Sequence, residues 1–393
     1  MCGIAGFSGT VTDPLASLSM MMKSLNHRGP DDRGLWFDNN AKIGFAHARL
    51  SILDLSSAGH QPMHSQSGRY VIVFNGEIYN YKQILSELEI NSKIKLKGQS
   101  DTEILLAAIE IWGLKNALKK TSGMFALALW DKEKNALSLA RDRVGEKPLY
   151  YGWVEDTFVF ASELKAFKQL KGFKNKIDRR ALALLLRYSS IPAPFSIYNN
   201  IHKLIPGHIL EFNSKSKEIK DFEFWSLEEV YKSGRNFNYF NSDEEAIFEL
   251  EKTLCNAVRL QMQADVPLGA FLSGGIDSSL IVAMMQNQSA ERVNTFSIGF
   301  DVKDFNEAEY ARAVANHLRT DHFDMYVTEQ DALDVIPNLP NIYDEPFADS
   351  SQIPTYLVSK IAKQKVTVAL SGDAGDELFG GYNRYVFTQN MFE

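Results

Sequence analysis

The chain has 393 residues, 45% apolar and 11% aromatic, enough for more than one packed domain and too much for wholesale disorder. A formal charge of −7 argues against a protein held to nucleic acid mainly through phosphates. Cys2 and Cys255 are the only cysteines, so no disulfide framework or cysteine zinc cluster can be assembled.

The N-terminal MCGIAGFSGT lacks a basic region followed by a long apolar stretch, and runs such as Met124–Trp130 are too short to span a bilayer. The expectation is a cytoplasmic protein with neither membrane nor nucleic-acid partners. Strands are predicted over Lys42–His47, Tyr70–Phe74, Phe125–Trp130, Ala136–Arg141 and Phe158–Ala161, which are rich in β-branched or aromatic residues. Apolar residues at helical spacing predict helices over Tyr81–Leu88 and Thr102–Trp112. A further helix is predicted over Asp178–Tyr188, ended by Ile191-Pro-Ala-Pro, and His208–Phe212 adds one more strand. These elements define a first domain, 1–212. The polar, loosely patterned stretch 213–241 reads as a linker.

From Ser242 the rhythm changes. Ser242 and Glu245 form a capping-box signature opening a helix to about Gln263. Val266–Leu272, a helix from Ser278, Thr295–Phe300, a helix from Asn306 and Val366–Leu370 then alternate. Apolar strands alternating with helices predict a doubly wound parallel sheet over 242–393.

Cys2 follows only the initiator Met1. Once Met1 is removed, one residue carries a thiol and an α-amine, and an amine with a pKa of about 8 can act as base for that thiol. A single cysteine near a terminus carries little information by itself, and accident is the simpler reading. Asn75-Gly76 follows an apolar strand. It is the strongest short hairpin signal, and equally a pair of donors, amide and backbone N–H, suited to an oxyanion. Local residues do not separate the two readings.

Val266–Leu272 leads into Ser273-Gly-Gly-Ile-Asp-Ser-Ser and a helix, so a glycine loop meets helical N–H groups that favour phosphate. Ser273 and Ser278 offer hydroxyls, and Asp277 can hold Mg²⁺ against a pyrophosphate. No Lys-Ser/Thr follows the glycines, so the loop is not a Walker motif. The eight histidines show no metal-ligand spacing, so no zinc is assigned, and Cys255 reads as a small core residue of a helix.

Seven segments occur in one order: Met1-Cys-Gly-Ile-Ala-Gly, His27-Arg-Gly-Pro-Asp-Asp, Arg49-Leu-Ser-Ile, Gly59-His-Gln-Pro-Met, Phe74-Asn-Gly-Glu-Ile-Tyr-Asn-Tyr, Ser100-Asp-Thr-Glu, and Arg141-Asp-Arg with Lys147-Pro-Leu-Tyr-Tyr. Together they resemble the class II glutamine amidotransferase domain of glutamine-dependent asparagine synthetases, an N-terminal-nucleophile αββα sandwich. The resemblance implies Cys2 as nucleophile and Asn75 with Gly76 as oxyanion hole. It implies Arg49 for the glutamine α-carboxylate, and Glu77 with Asp101 for the α-amino group. Glu146 stands where that family usually carries an apolar residue.

Ser273–Ser279 resembles the PP-loop of ATP pyrophosphatases, and Val366-Thr-Val-Ala-Leu-Ser-Gly-Asp-Ala-Gly-Asp-Glu-Leu-Phe-Gly-Gly-Tyr matches the same synthetases. The resemblance implies nucleotide contacts from Leu272, Ser273, Gly274, Gly275, Asp277, Ser278, Ile298, Ser371 and Gly372. It also implies Mg²⁺ at Asp277 and Asp376, and acyl-adenylate formation at Asp373. Asp344-Glu-Pro-Phe-Ala-Asp-Ser-Ser resembles a segment lining the acceptor side.

The resulting expectation is an ATP- and Mg²⁺-dependent ligase that moves ammonia from glutamine to an acyl-adenylate of aspartate, and the resemblance allows a homodimer. A paralogue amidating another carboxylate, such as a cell-surface sugar acid, keeps the chemistry and changes the acceptor. A glutamine sensor or scaffold with a dead synthetase half is the reading from another class; intact motifs disfavour it. The family's late catalytic lysine has no match here, so a partial form is expected, hydrolysing glutamine without making asparagine.

Overall fold

The computed structural model describes residues 1–91, 94–235, 240–300 and 306–392. The chain divides into two compact units, Met1–Tyr239 with Pro340–Ala348, and Phe240–Leu339 with Asp349–Glu393. No helix among the described residues is long and apolar enough to cross a membrane.

The first unit opens with β1 (Gly3–Ser8), α1 (Pro14–Ser24), β2 (Asp32–Asp38), β3 (Ile43–Arg49), β4 (Met63–His64) and β5 (Tyr70–Ile78). Then come α2 (Tyr81–Asn91), α3 (Asp101–Trp112), α4 (Leu114–Lys120), β6 (Gly123–Asp131), β7 (Ala136–Arg141), β8 (Tyr150–Val154) and β9 (Thr157–Ala161). It continues with α5 (Leu164–Phe167), α6 (Arg179–Tyr188), β10 (Ile201–Lys203), β11 (His208–Asn213), β12 (Ile219–Glu223) and α7 (Leu227–Arg235). Two six-stranded antiparallel sheets result, in the orders β10-β8-β9-β1-β3-β2 and β12-β11-β7-β6-β5-β4.

Period-two alternation explains the layers. Along β5, Val71 and Val73 enter a core with Ile4, Phe45 and Phe160 of the other sheet, whereas Ile72 and Phe74 join Ile104, Leu105 and Ile109 of α3. Ala5 and Phe7 of β1 point the other way, onto Leu18 and Met21 of α1. Each sheet is therefore covered on both faces, and a strand such as β6 reads as an unbroken apolar run. The outcome is an αββα sandwich.

Within 213–241, the stretch read as a linker, β12 pairs antiparallel with β11 from His208↔Glu223 to Phe212↔Ile219, and α7 follows; residues 236–239 lie outside the described residues. Pairing to an edge strand needs only backbone N–H and C=O groups, so it left little trace in the side-chain pattern.

The second unit contains α8 (Asp243–Gln261), β13 (Leu268–Phe271), α9 (Ile276–Gln288), β14 (Asn294–Phe300), α10 (Ala308–Leu318), β15 (Asp321–Val327) and α11 (Glu329–Val335). After α12 (Leu339–Ile342), all but its first residue assigned to the first unit, it continues with α13 (Gln352–Ala362), β16 (Val368–Leu370), α14 (Gly375–Phe379) and α15 (Asn383–Phe392). The four strands are parallel, in the order β15-β14-β13-β16. One face packs Ala270 and Leu272 against Val282 and Met285 of α9 and Ala311 of α10; Phe296 on the other meets Ala362 of α13. Helices cover both faces of a parallel sheet, which is the doubly wound arrangement. Successive connections run from β13 towards β15 on one side, and β16 lies on the other. The loops leaving β13 and β16 thus flank the point where strand order reverses, the usual ligand crevice of such sheets.

Candidate active sites

At one end of the sandwich the inter-sheet face turns from apolar to polar. Counting by twos, Ile4 is followed by Cys2, Phe45 by His47 and Arg49, and Val73 by Asn75 and Glu77. The β1–β3 register, ending at Gly3↔Ala48, brings Cys2 level with Arg49. The Cys2 Sγ accepts from Leu50 N (3.4 Å) and lies 3.6 Å from Leu50 O. Burial pushes the thiol pKa up, and burial pulls the Met1 α-amine down to about 6. Charges from Glu77 and Arg49 act on that thiol, and those of Arg28, Lys147 and Glu77 on the amine.

Asn75 and Gly76 lie within β5, paired with Ala126 and Phe125, so they are not a hairpin turn. Asn75 is 0% exposed, and neither amide atom has a hydrogen-bond partner. Phe74 N donates to Gln61 Oε1 (2.6 Å) and Ile78 N to Asp101 Oδ2 (2.8 Å). Residues two apart on a strand direct their N–H groups to the same side. Gly76 N–H therefore points away from β6, between two N–H groups already taken by side chains. Phe125, opposite Gly76, spends its own N–H and C=O on Asp142, which confirms a non-hydrogen-bonded pair. A Cβ at Gly76 would strike Met124 O, so glycine is required by this close approach. One orphaned amide and one open N–H thus sit side by side.

Asp101 opens α3 behind the N-cap Ser100 and is buried. Burial raises the pKa values of Asp101 and Glu77 above the ordinary carboxylate range, and for Glu77 the neighbouring Asp101 charge adds to it. Two buried acids with raised pKa values can receive a cation. Arg49 donates to Ser56 O (3.0 Å), Leu53 O (3.3 Å) and Asp54 O (2.5 Å), so carbonyls of the following loop hold its guanidinium in place.

Four residues given no individual role by the sequence reading complete this site. His47 Nε2 lies 3.0 Å from Phe74 O, which can only accept, so Nε2 carries the proton and Nδ1 is bare. Burial holds its pKa down to about 4, and the neutral ring ties the two sheets together beside Asn75. Arg28 Nε donates to Cys2 O (2.9 Å), and its Nη1 to Glu163 (2.7 Å). Asp142 accepts five backbone N–H groups, from Phe125, Val144, Gly145, Glu146 and Lys147. That cage shapes the loop carrying Glu146 and the buried Lys147. Arg28 and Asp142 lay inside recognised motifs and Glu163 outside them; nothing local in the sequence announced their partners.

In the second unit, Ser273 N donates to Ser278 Oγ (3.2 Å), Gly275 N to Ser273 Oγ (3.3 Å), and Gly274 takes φ +82°. Gly275 caps α9 without a side-chain bond, leaving the first N–H groups of that helix to a ligand. The β16 loop closes on this one. A Cβ on Gly372 would stand 2.7 Å from Ser278 N, and one on Gly375 2.5 Å from Asp277 Cγ. Ser371 Oγ donates to Asp373 Oδ2 (2.9 Å). The structure thus brings residues 273–278 together with 371–376. Leu272 is buried in the core beneath the loop, and Ile298 is half-buried on the neighbouring β14. No ion pair engages Asp277 or Asp376 among the described residues.

The family model described as "Glutamine amidotransferase domain" matches residues 1–225, and that described as "Asparagine synthase" matches residues 249–392. The chain belongs to the glutamine-dependent asparagine synthetase family. Members of this family are ATP-dependent amidating ligases. The chain is 39% identical to "Putative asparagine synthetase (glutamine-hydrolyzing) 2" of Methanocaldococcus jannaschii, over 97% of this chain and 76% of that protein. It is 36% identical to "Asparagine synthetase (glutamine-hydrolyzing) 1" of Bacillus subtilis, over 98% of this chain and 59% of that one. A Gibberella zeae protein named "Amidase chry2" is 30% identical, with 98% and 60% covered. The chain thus spans about three-fifths to three-quarters of the length of these relatives.

Proposed function

We propose that the first unit hydrolyses glutamine at Cys2 and that the second activates a carboxylate with ATP for amidation, the acceptor being aspartate. The observation that carries the first half is the orphaned Asn75 amide beside the open Gly76 N–H, on the same inter-sheet face as Cys2. A buried amide left unbonded costs roughly 1–3 kcal/mol, and a developing oxyanion would recover it. With Met1 removed, the α-amine of Cys2 takes the thiol proton and the thiolate attacks the glutamine amide carbon. Asn75 Nδ2–H and Gly76 N–H donate to the resulting oxyanion. The protonated amine returns its proton to the leaving nitrogen, which departs as ammonia and leaves a thioester. Water then cleaves the thioester, releasing glutamate and regenerating the thiol. Glu77 and Asp101 receive the substrate α-ammonium, and Arg49 its α-carboxylate.

In the second unit the two facing loops supply hydroxyls, helical N–H groups and the unpaired carboxylates Asp277 and Asp376. Hard oxygen donors without a cationic partner fit Mg²⁺, which would neutralise the pyrophosphate of ATP. Asp373, whose carboxylate accepts from Ser371 Oγ, would serve the acyl-adenylate step. Ammonia from the first reaction is the nucleophile of the second. Amidation of a different carboxylate is the second reading; it keeps every residue role above and changes only the acceptor.

Glutamate release by the wild-type chain, its abolition in Cys2→Ala, and mass-spectrometric absence of Met1 test the first half. Retained hydrolysis in Cys2→Ala refutes it. AMP, pyrophosphate and the amidated product, sought by mass spectrometry over a panel of carboxylates with ATP, Mg²⁺ and ammonia, test the second and choose between acceptors.

A further inference from the structure

The nine residues 340–348 follow an element of the second unit in the sequence and precede another, yet they belong to the first unit. Two consecutive acids fasten them there. Glu345 pairs with Lys203 Nζ (2.5 Å), accepts from Ile197 N (2.7 Å) and from the Tyr150 hydroxyl (3.3 Å). Asp344 accepts from Lys165 N (3.3 Å) and faces Lys165 Nζ at 3.5 Å; that same Nζ donates to Asn341 O (3.1 Å). Ala348 N donates to Ser189 O (2.7 Å) and closes the strap. The Asp344 and Glu345 side chains are only 8% and 9% exposed, so these are pairs largely withdrawn from water.

The Lys165 ammonium is shared. At 2.7 Å it also pairs with Glu163, whose carboxylate holds Arg28 Nη1 at 2.7 Å, and Arg28 Nε holds Cys2 O at 2.9 Å. Arg28 Nη2 is buried without a partner, so Glu163 on one side and Cys2 O on the other are what orient this guanidinium. Burial works against the Glu163 charge, but His27, Arg28 and Lys165 outweigh it and hold its carboxyl down to about 2. A continuous file of alternating charges thus runs from the strap to the backbone of residue 2.

We propose that Asp344 and Lys165 are positioning residues for the Cys2 nucleophile, acting through Glu163 and Arg28. Asp344 draws Lys165 partly away from Glu163, which leaves the Glu163 carboxylate free to hold Arg28, and Arg28 fixes the carbonyl of the residue that bears thiol and amine. Asp344, Lys165, Glu163 and Arg28 have no part in binding glutamine in the mechanism proposed above. They therefore act on the rate of attack and not on substrate affinity. Because the strap runs on in sequence towards α13, a displacement of 340–348 would be felt at Cys2. The inference rests on Cys2 being the nucleophile, as proposed above.

The test uses Asp344→Asn and Lys165→Met, each alone and combined with Glu163→Gln, in the full chain. The readouts are kcat and KM for glutamate release, the rate of Cys2 alkylation by iodoacetamide, and Tm. Misplacing a reacting group by 1 Å can cost roughly a hundredfold, and a partial loosening is expected to lower kcat and the alkylation rate about tenfold. KM for glutamine should stay unchanged, Asp344→Glu should restore kcat, and neither variant should add to the loss already present in Glu163→Gln. Wild-type kcat in Asp344→Asn and Lys165→Met overturns the proposal. So do losses that multiply in the Glu163→Gln background, or a change confined to KM and Tm. If Lys165→Met does not fold, Asp344→Asn and its rescue decide alone. Hydrolysis retained in Cys2→Ala would instead overturn the nucleophile itself, whereas a dead Cys2→Ala beside fully active strap variants overturns only the relay.

Discussion

Asn75→Ala separates function from stability by sign. In the wild type the amide is fully buried and unbonded, a burden of roughly 1–3 kcal/mol on the folded state. Alanine removes that burden but also a few packed atoms, a loss of similar size in a partly collapsing cavity. The net change in stability should lie within about 1 kcal/mol, a shift of a few degrees in Tm. Loss of one oxyanion donor, by contrast, costs about 10²–10³ in kcat, or roughly 3–4 kcal/mol of transition-state stabilisation. Glutamate release at saturating glutamine measures the first quantity, and calorimetric melting of the same preparation the second. A kcat within about threefold of wild type, under 1 kcal/mol on the barrier, would refute the oxyanion role. A collapse in Tm would show that the amide was satisfied after all.

Three further outcomes follow from the same geometry. In the proposed site Glu77 and Asp101 would hold the substrate ammonium only when ionised, and both have raised pKa values, so KM for glutamine should climb as pH falls below neutrality; Asp101→Ala should raise KM strongly, and a pH-independent KM would remove both acids from the binding site. Glu163 is depressed from 4.5 to about 2, so its stabilisation is complete above the unfolded value and disappears as pH falls through the folded one. The Tm gap between wild type and Glu163→Gln should then be constant above pH 4.5 and close between 4.5 and about 2; a gap that persists at the acid end contradicts the ion-pair network. Asp376→Asn should weaken ATP binding in Mg²⁺, measured calorimetrically, and leave binding in excess chelator unchanged; equal losses in both would place Asp376 outside the metal's reach.

Much of the fold was legible because burial on both faces writes itself into composition. β6 is the clearest case: its apolar run is buried against helices on one side and the second sheet on the other. The α8 start was equally legible, since Ser242 does accept from Glu245 N. Strands with one exposed flank escaped. Among the described residues β15 pairs only with β14, exposes three of its seven residues, and includes Asp321, His322 and Asp324. β1 was not predicted: two of its six residues are glycines, which are depleted in strands. At Gly6 they serve close strand approach instead, since a Cβ there would meet the Phe160 ring and the backbone of Gly44. Predicted boundaries shifted by a few residues, as at α9, which begins at Ile276 and not at Ser278.

What the residues alone determined was the chemical inventory: a cysteine able to become N-terminal, an Asn-Gly donor pair, a phosphate loop and two acidic runs in family order. Such motifs are local, and each needs only a few neighbours in the chain. Tertiary structure decided which donors are free. Asn75-Gly76 reads the same in a hairpin and in a strand; only the caps placed by Gln61 and Asp101, distant in sequence, show that Gly76 N–H is the open one. Likewise Asp344 and Glu345 belong by sequence to the synthetase half. Their pairing with Lys165 and Lys203 puts them in the first unit, because the partners of a buried charge are chosen by the fold and leave no periodicity in the chain.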